Sequence, residues 1–339
     1  VDLHGQAGVR QASAQPTAPP EFSMTADAVH LEDADGRGGY AVTARGQPVG
    51  IQTERLTVKC RLLQLDRARN RVWTTEPGRM VFLVDRDLQG KILAQPQRMT
   101  IDWQQGMSFD GSTAKFQGNV IVQGPLQRMR SEQLAATLNR YVSFDANTRM
   151  ESLEIQQLHA AGNVVLESRE STDGRLTALA YLQVPQLKIN RQTGLATASG
   201  PGRLVSLRQG FNNNLDFTGR PTHQVAQTDN RITFLQIDFQ RHIEGVRNRR
   251  VVDCPDTVRV HDGPVNSWNA TLQPDSELGE DEVLLSCDRL TLAEGPLRTD
   301  QKRWVSMLAR GNTFVEGKTF TANGDRVSYD QAKDLLVLE

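Results

Sequence analysis

The feature that most narrows what this chain can fold into is a rhythm. From about Phe22 onward it returns repeatedly to stretches of four to eight residues in which apolar and polar side chains alternate, each closed by Gly, Asn, Asp or Pro. Leu56-Thr-Val-Lys-Cys60, Met80-Val-Phe-Leu-Val84, Met99-Thr-Ile-Asp-Trp103, Asn119-Val-Ile-Val-Gln123, Asn163-Val-Val-Leu-Glu167 and Ile232-Thr-Phe-Leu-Gln-Ile-Asp-Phe239 are the clearest cases. A period of two is that of a strand with one buried face, whereas a helix needs 3.6. Many such stretches, roughly 8–12 residues apart, predict an all-β chain. One segment is ambiguous: residues 130–139 contain good helix formers and a Ser131 that could cap a helix. Yet Glu132, Leu134, Ala136 and Leu138 alternate with Ser131, Gln133, Ala135 and Thr137, and both neighbours read as strands, so a strand is expected here too.

The rhythm is also self-similar. Residues 67–83 match residues 191–207, with the Pro-Gly-Arg groups at Pro77-Gly78-Arg79 and Pro201-Gly202-Arg203 lying 124 positions apart. The same offset lays Leu65 on Ile189 and Val58 on Leu182. Both Pro-Gly-Arg groups read as β-turns between strands. A shorter repeat joins Gly118-Asn119, Gly162-Asn163 and Gly311-Asn312, each followed by a strand-like run. Gly and Asn tolerate positive φ, so each pair predicts a tight turn that launches a strand with one apolar face. Those faces carry Val120 and Val122, Val164 and Leu166, and Thr313 and Val315; stacked copies would align them into an apolar strip.

The 339 residues allow about two domains or one long repetitive one. Residues 1–21, small, polar and Pro-rich, read as a disordered linker. Turn formers crowd residues 210–230, which places a loop or linker at 211–230 between a first β region, 22–210, and a second, 231–339. The absence of an initiator Met and the apolar run Leu335-Leu-Val-Leu-Glu339 read as a piece of a longer protein, with the second region truncated.

Composition removes some functions. Lys and Arg number 39 against 40 Asp and Glu, so no net field exists to hold a nucleic-acid backbone. No stretch of 18 apolar residues reads as a transmembrane helix. Six dispersed histidines (His4, His30, His159, His223, His242, His261) show no metal-binding spacing. Nucleotide, nucleophile-elbow and calcium-loop patterns are missing, and the acidic groups 33–35 and 280–282 read as solvated turns. Cys60, Cys254 and Cys287 read as buried free thiols, with a Cys254–Cys287 bridge left open. Seven lysines leave 32 arginines, densest at Arg247-Asn-Arg-Arg250; a solvated face is the simpler reading, and an anionic headgroup near this turn is conceivable.

The last thirty residues carry the most pattern: residues 309–317 with Gly311-Asn312, then Phe320-Thr-Ala-Asn-Gly-Asp-Arg-Val-Ser-Tyr-Asp330, then Leu335–Glu339. This resembles the repeat of the OstA-like family of periplasmic lipopolysaccharide-transport proteins, where a Gly-Asn-Val strand, an Ala-rich strand ending in Tyr-Asp and a Leu-rich strand follow one another. Partial copies at 118–138 and 162–181 extend the resemblance to roughly half the chain, although Thr313 stands where the other copies have Val. The resemblance implies an elongated open β-jellyroll, a folded-over antiparallel sheet of repeated short strands, in two tandem units here. It further implies a non-enzymatic module that shelters acyl chains in an apolar groove, lined by Val120, Val122, Leu134, Leu138, Val164, Leu166 and Val315. The implied partners are lipopolysaccharide or another acylated lipid, and other β-jellyroll domains joined by edge-strand pairing. The implied location is the periplasm or cell envelope; no catalytic residue, metal or cofactor is implied. Two other readings stand beside this one: a structural β-repeat segment of a large envelope protein with a filled core, and a β-domain with an enzymatic or carbohydrate-binding site drawing on Trp73, Trp103, Trp268 or Trp304.

Overall fold

Side chains that alternate along a short stretch can be buried on one side only by a pleated strand, and strands are what this chain forms. The computed structural model describes residues 2–11, 22–33, 39–86, 92–144, 154–209, 231–272, 277–295, 305–330, 333 and 335–339. Among the described residues there are twenty-three strands and no helix. Internal contacts divide the chain into two units, residues 1–162 with 190–192, and residues 163–189 with 193–339. The first contains β1 (Asp2–Gln11), β2 (Phe22–Asp33), β3 (Tyr40–Gln52), β4 (Leu56–Asp66), β5 (Arg71–Thr74), β6 (Gly78–Arg86), β7 (Ile92–Trp103), β8 (Gly106–Phe109), β9 (Thr113–Gln123) and β10 (Gln127–Leu138). β11 (Ile155–Thr172) runs from the first unit into the second, followed by β12 (Arg175–Asn190), β13 (Leu195–Ser199), β14 (Gly202–Gln209), β15 (Ile232–Phe239), β16 (His242–Val246) and β17 (Val251–Cys254). The remainder are β18 (Val258–Val265), β19 (Val283–Cys287), β20 (Arg289–Glu294), β21 (Val305–Gly317), β22 (Phe320–Asp330) and β23 (Leu335–Leu338).

Two expectations about organisation need amending. Asp2–Gln11, placed in a linker over 1–21, forms β1, which pairs antiparallel with β2. Backbone hydrogen bonding to an existing edge needs no apolar period, which is why alternation does not reveal this strand. The loop placed at 211–230 lies outside the described residues, and the division by contacts falls instead at Gly162/Asn163, so residues 163–189 and 193–209 group with the second unit.

In the first unit the long strands bend midway and the short strands end at the bend. β4 pairs with β6 through residues 56–60 and with β5 through residues 64–66. β9 pairs with β7 through residues 121–123 and with β8 through residues 114–117. β10 follows β9 through both halves, with a register shift between Ser131 and Gln133. Similar shifts interrupt β1 to β3: between His4 and Ala7, between Thr25 and Ala28, and between Arg45 and Val49. The sheet is thus folded over along a row of corners, and its two halves bury a common face. Met24, Ala26, Val49 and Cys60 from one half cluster with Val29, Ala44 and Leu63 from the other. Trp103 of β7 meets Phe116 of β9, ring centroids 5.5 Å apart.

The second unit is built the same way. β12, β14, β15, β18, β19, β21 and β22 pair in sequence to form one half. β13, β16, β17, β20, β21, β22 and β23 form the other, so β21 and β22 serve both. Leu204, Ile237, Val260, Leu285 and Val315 are successive Cα partners across one half and form its inner row.

The Gly-Asn pairs are corners and not strand-launching turns. Gly118-Asn119, Gly162-Asn163 and Gly311-Asn312 lie inside β9, β11 and β21, with φ of 79 and 43°, 79 and 48°, and 73 and 45°. The backbone is left-handed, as Gly and Asn permit, but the chain does not reverse: two left-handed residues bend the strand as a bulge and let pairing resume. The Pro-Gly-Arg groups are corners too, joining β5 to β6 and β13 to β14 across the two halves of each unit. The 124-residue repeat survives in three dimensions. Lys59 faces Arg79 in the register of β4 and β6, and Gln183 faces Arg203 in that of β12 and β14. Arg79 grips Asp102 with two hydrogen bonds, of 2.5 and 3.2 Å, and Arg203 grips Asp238 with two of 2.6 and 3.4 Å. A Cβ on Gly78 would overlap the Trp103 ring, and one on Gly202 would overlap the Phe239 ring.

Candidate functional site

The feature that could hold a ligand is the apolar face enclosed by each folded sheet. Val120, Val122 and Leu134, in the first unit, are 0, 4 and 2% exposed. In the second unit Val164 and Val315 are 0 and 1% exposed. Leu138 and Leu166 are only half-buried. Val122 pairs with Ile101 and Met129, and Leu134 pairs with Phe116, so the first unit's residues belong to one buried face. Two hydroxyls interrupt these faces. Ser131, the partner of Val120, and Thr313, in the position Val120 and Val164 occupy after their Gly-Asn corners, are 1 and 2% exposed with no hydrogen-bond partner for either Oγ.

Two open troughs lie outside these faces. One, of about 390 Å³, lies over β20 to β23 between Thr291, Leu308, Arg326, Ser328 and Val337. The other lies beside the Gly311-Asn312 corner, between Asn323, Asp325 and Glu339.

The second unit also has a buried polar site that alternation does not foretell. Leu179, Leu207, Ile232, Phe234 and Val265 cluster on the face of β12, β14, β15 and β18 opposite the inner row. Trp268, Ala270 and Leu272, from the segment after β18, pack over them. β15 and β18 are therefore buried on both faces. Beneath this cover His261 is 3% exposed, its ring edge-on to Phe234, and its Nε2 lies 3.6 Å from Glu282 Oε2. Neither ring nitrogen has a hydrogen-bond partner. Burial pushes its pKa below the ordinary value, and the nearby Glu282 carboxylate offsets part of that shift. A signal was present in Ile232–Phe239, where Ile232, Phe234, Leu235, Ile237 and Phe239 suit two-sided burial, but Val258–Val265, with Arg259, His261 and Asp262, gives none, and the covering segment has no pattern of its own.

The remaining reactive groups are held in place. Cys60, Cys254 and Cys287 are free and buried, so the bridge left open by sequence is not formed; burial raises their thiols to about 11, 12 and 11. Asp253 is held by Arg289 and Thr291, which keep its carboxyl below the usual range against the opposing effect of burial. Arg71 covers Trp73, and Trp103 donates through Nε1 to the Glu76 carbonyl at 3.0 Å. Trp268 belongs to the outer cover, and Trp304 lies outside the described residues. Among the described residues no three His, Cys, Asp or Glu converge as metal ligands, and no helix is long and apolar enough to cross a membrane. His223 lies outside the described residues.

Comparison with protein-family models, curated proteins and solved structures found no match to this chain.

Proposed function

We propose that this chain is a non-enzymatic lipid-binding or lipid-transport module of the cell envelope, in which the two halves of each folded sheet part to admit acyl chains between their apolar faces. The observation that carries this reading is the row of corners. Each half of a unit is an apolar surface of Val, Leu, Ile and Met joined to the other half through register-shifting corners, left-handed at Gly118-Asn119 in the first unit and at Gly311-Asn312 in the second. Such a sheet can change its opening angle without breaking the ladders on either side. The proposed ligand is a lipopolysaccharide-like acylated lipid, and the proposed setting is the periplasm, both following the OstA-like resemblance. β1 and β23, each paired along one edge among the described residues, support pairing with further β-jellyroll domains.

One observation favours a second reading, a structural β-repeat with a filled core. Val120 and Val164 are 0% exposed and the Trp103 and Phe116 rings pack at a tilt 5.5 Å apart, so the faces are closed. Native mass spectrometry of the protein with lipopolysaccharide, with phospholipid and with neither separates the two. Stoichiometric adducts that survive mild activation and vanish in Val120→Asp and Val315→Asp variants are the expected result; bare protein under every lipid selects the filled core.

A further inference from the structure

We propose that the tip of the β16–β17 hairpin, Arg247, Arg249 and Arg250, is a binding site for a phosphate group. The tip is a four-residue turn closed by hydrogen bonds from Arg249 N to Val246 O and from Arg250 N to Arg247 O, both 3.1 Å. Its fourth residue, Arg250, has φ of 52°. The turn between β4 and β5 closes in the same way, Asn70 N to Arg67 O at 3.1 Å, and its fourth position also has positive φ, 50°. That position holds Asn70 there and Gly194 in the 124-residue repeat, residues suited to left-handed backbone. Asn70 also uses its side chain, donating to Val142 O at 2.8 Å and accepting from Phe144 N at 2.7 Å. Arg250 suits the backbone poorly, and among the described residues its side chain makes no hydrogen bond or ion pair. A residue that breaks a local rule without a compensating contact points to a role outside folding.

The charges around the tip point the same way. Arg247, Arg249 and Arg250 are exposed, and among the described residues none of their guanidinium groups meets a carboxylate. The acids on neighbouring strands are matched elsewhere: Glu294 faces Arg208 at 3.9 Å, Glu244 faces His242 at 3.7 Å, and Asp253 is held by Arg289. The backbone of the tip is fixed on both sides, Arg247 N donating to Gly194 O and Arg250 O accepting from Glu294 N, at 2.9 and 3.0 Å. Three planar five-donor cations on a fixed turn match the oxygens of a phosphate, to which arginine bonds in bidentate fashion. The chain's balance of 39 basic and 40 acidic residues favours such a local anion over a nucleic-acid backbone. The assignment rests on the proposed lipid function for the source of the phosphate, a lipid headgroup, but not for the phosphate itself.

The test is co-sedimentation of the full chain with phosphatidylcholine vesicles, with and without phosphatidic acid, alongside calorimetric titration with pyrophosphate. The expected result is salt-sensitive binding to phosphatidic acid vesicles alone, competed by pyrophosphate and weakened about tenfold or more when Arg247, Arg249 and Arg250 are all changed to Gln. Arg250→Gly alone should weaken binding while raising the melting temperature, a pairing that a purely structural arginine would not give. Pyrophosphate binding without vesicle binding keeps the phosphate site and overturns the lipid source. Unchanged vesicle binding by the triple variant, or tighter binding to a single-stranded oligonucleotide than to the vesicles, overturns the proposal. Acyl adducts detected by native mass spectrometry are read independently, so failure of the tip and failure of the apolar interior are distinguishable.

Discussion

Two buried residues show how a single polar atom is felt inside an apolar face. Thr313 occupies the position that Val120 and Val164 hold at 0% exposure, and its hydroxyl is buried with no partner. Leaving such a group unsatisfied costs about 1–3 kcal/mol, so Thr313→Val should raise stability by about 1 kcal/mol, read as a higher urea midpoint at constant slope. His261 makes the molecule sensitive to acid. Its pKa is depressed when folded, so as pH falls below the ordinary value of 6.5 the unfolded chain takes up the proton first. Stability is therefore unaffected by His261 above that pH and declines between it and the lower folded value. The change in unfolding free energy between about pH 7.5 and about pH 5.5 should shrink in His261→Gln. An undiminished change would assign the acid sensitivity to other groups. Neither residue's environment was legible in the sequence: alternation marks Thr313 as inward-facing but not as unpartnered, and it gives no hint that the outer side of β18 is covered.

At the scale of elements, the corners organise the fold. Gly78 and Gly202 begin strands directly after a corner, and each is overlain by an aromatic ring, from Trp103 and Phe239 respectively. A methyl group there also meets backbone, the Lys59 carbonyl at 2.8 Å and the Gln183 carbonyl at 3.0 Å. Gly78→Ala and Gly202→Ala should each destabilise by about 1–3 kcal/mol, and by similar amounts if the repeat is structural. Unequal losses by thermal denaturation would mean that the two corners are only superficially alike. Most strands could be read from their period, including β10, where Leu134 and Leu138 could equally have served a helix. The sequence repeat fixed which residues correspond, but not that the Gly-Asn and Pro-Gly pairs bend the sheet. A residue's φ preference is local, whereas the choice between a reversal and a bulge depends on whether the partner strand continues past it, as β10 does past Gly118-Asn119.

For the whole molecule, the all-β class follows from alternation and repetition, whereas the folded-over antiparallel sheet is an implication of the OstA-like resemblance, because alternation alone fits a sandwich or a barrel equally well. The division into units was not legible, since β11 is one uninterrupted strand through Gly162/Asn163 and composition does not change there. Whether the inner faces ever separate is likewise beyond alternation, which gives the direction of a side chain but not what lies opposite it. The most direct test of the lipid-binding account is site-specific photo-cross-linking: a diazirine-bearing aliphatic residue is placed in turn at Val120, Val122 and Ile121, and the protein is irradiated with lipid carrying a labelled acyl chain. Val120 and Val122 face inward in β9, and Ile121 faces outward opposite Asp102 and Arg130. Acyl label at 120 and 122 but not at 121 is the result the account predicts; equal label at all three, or bound lipid that labels none of them, would contradict it.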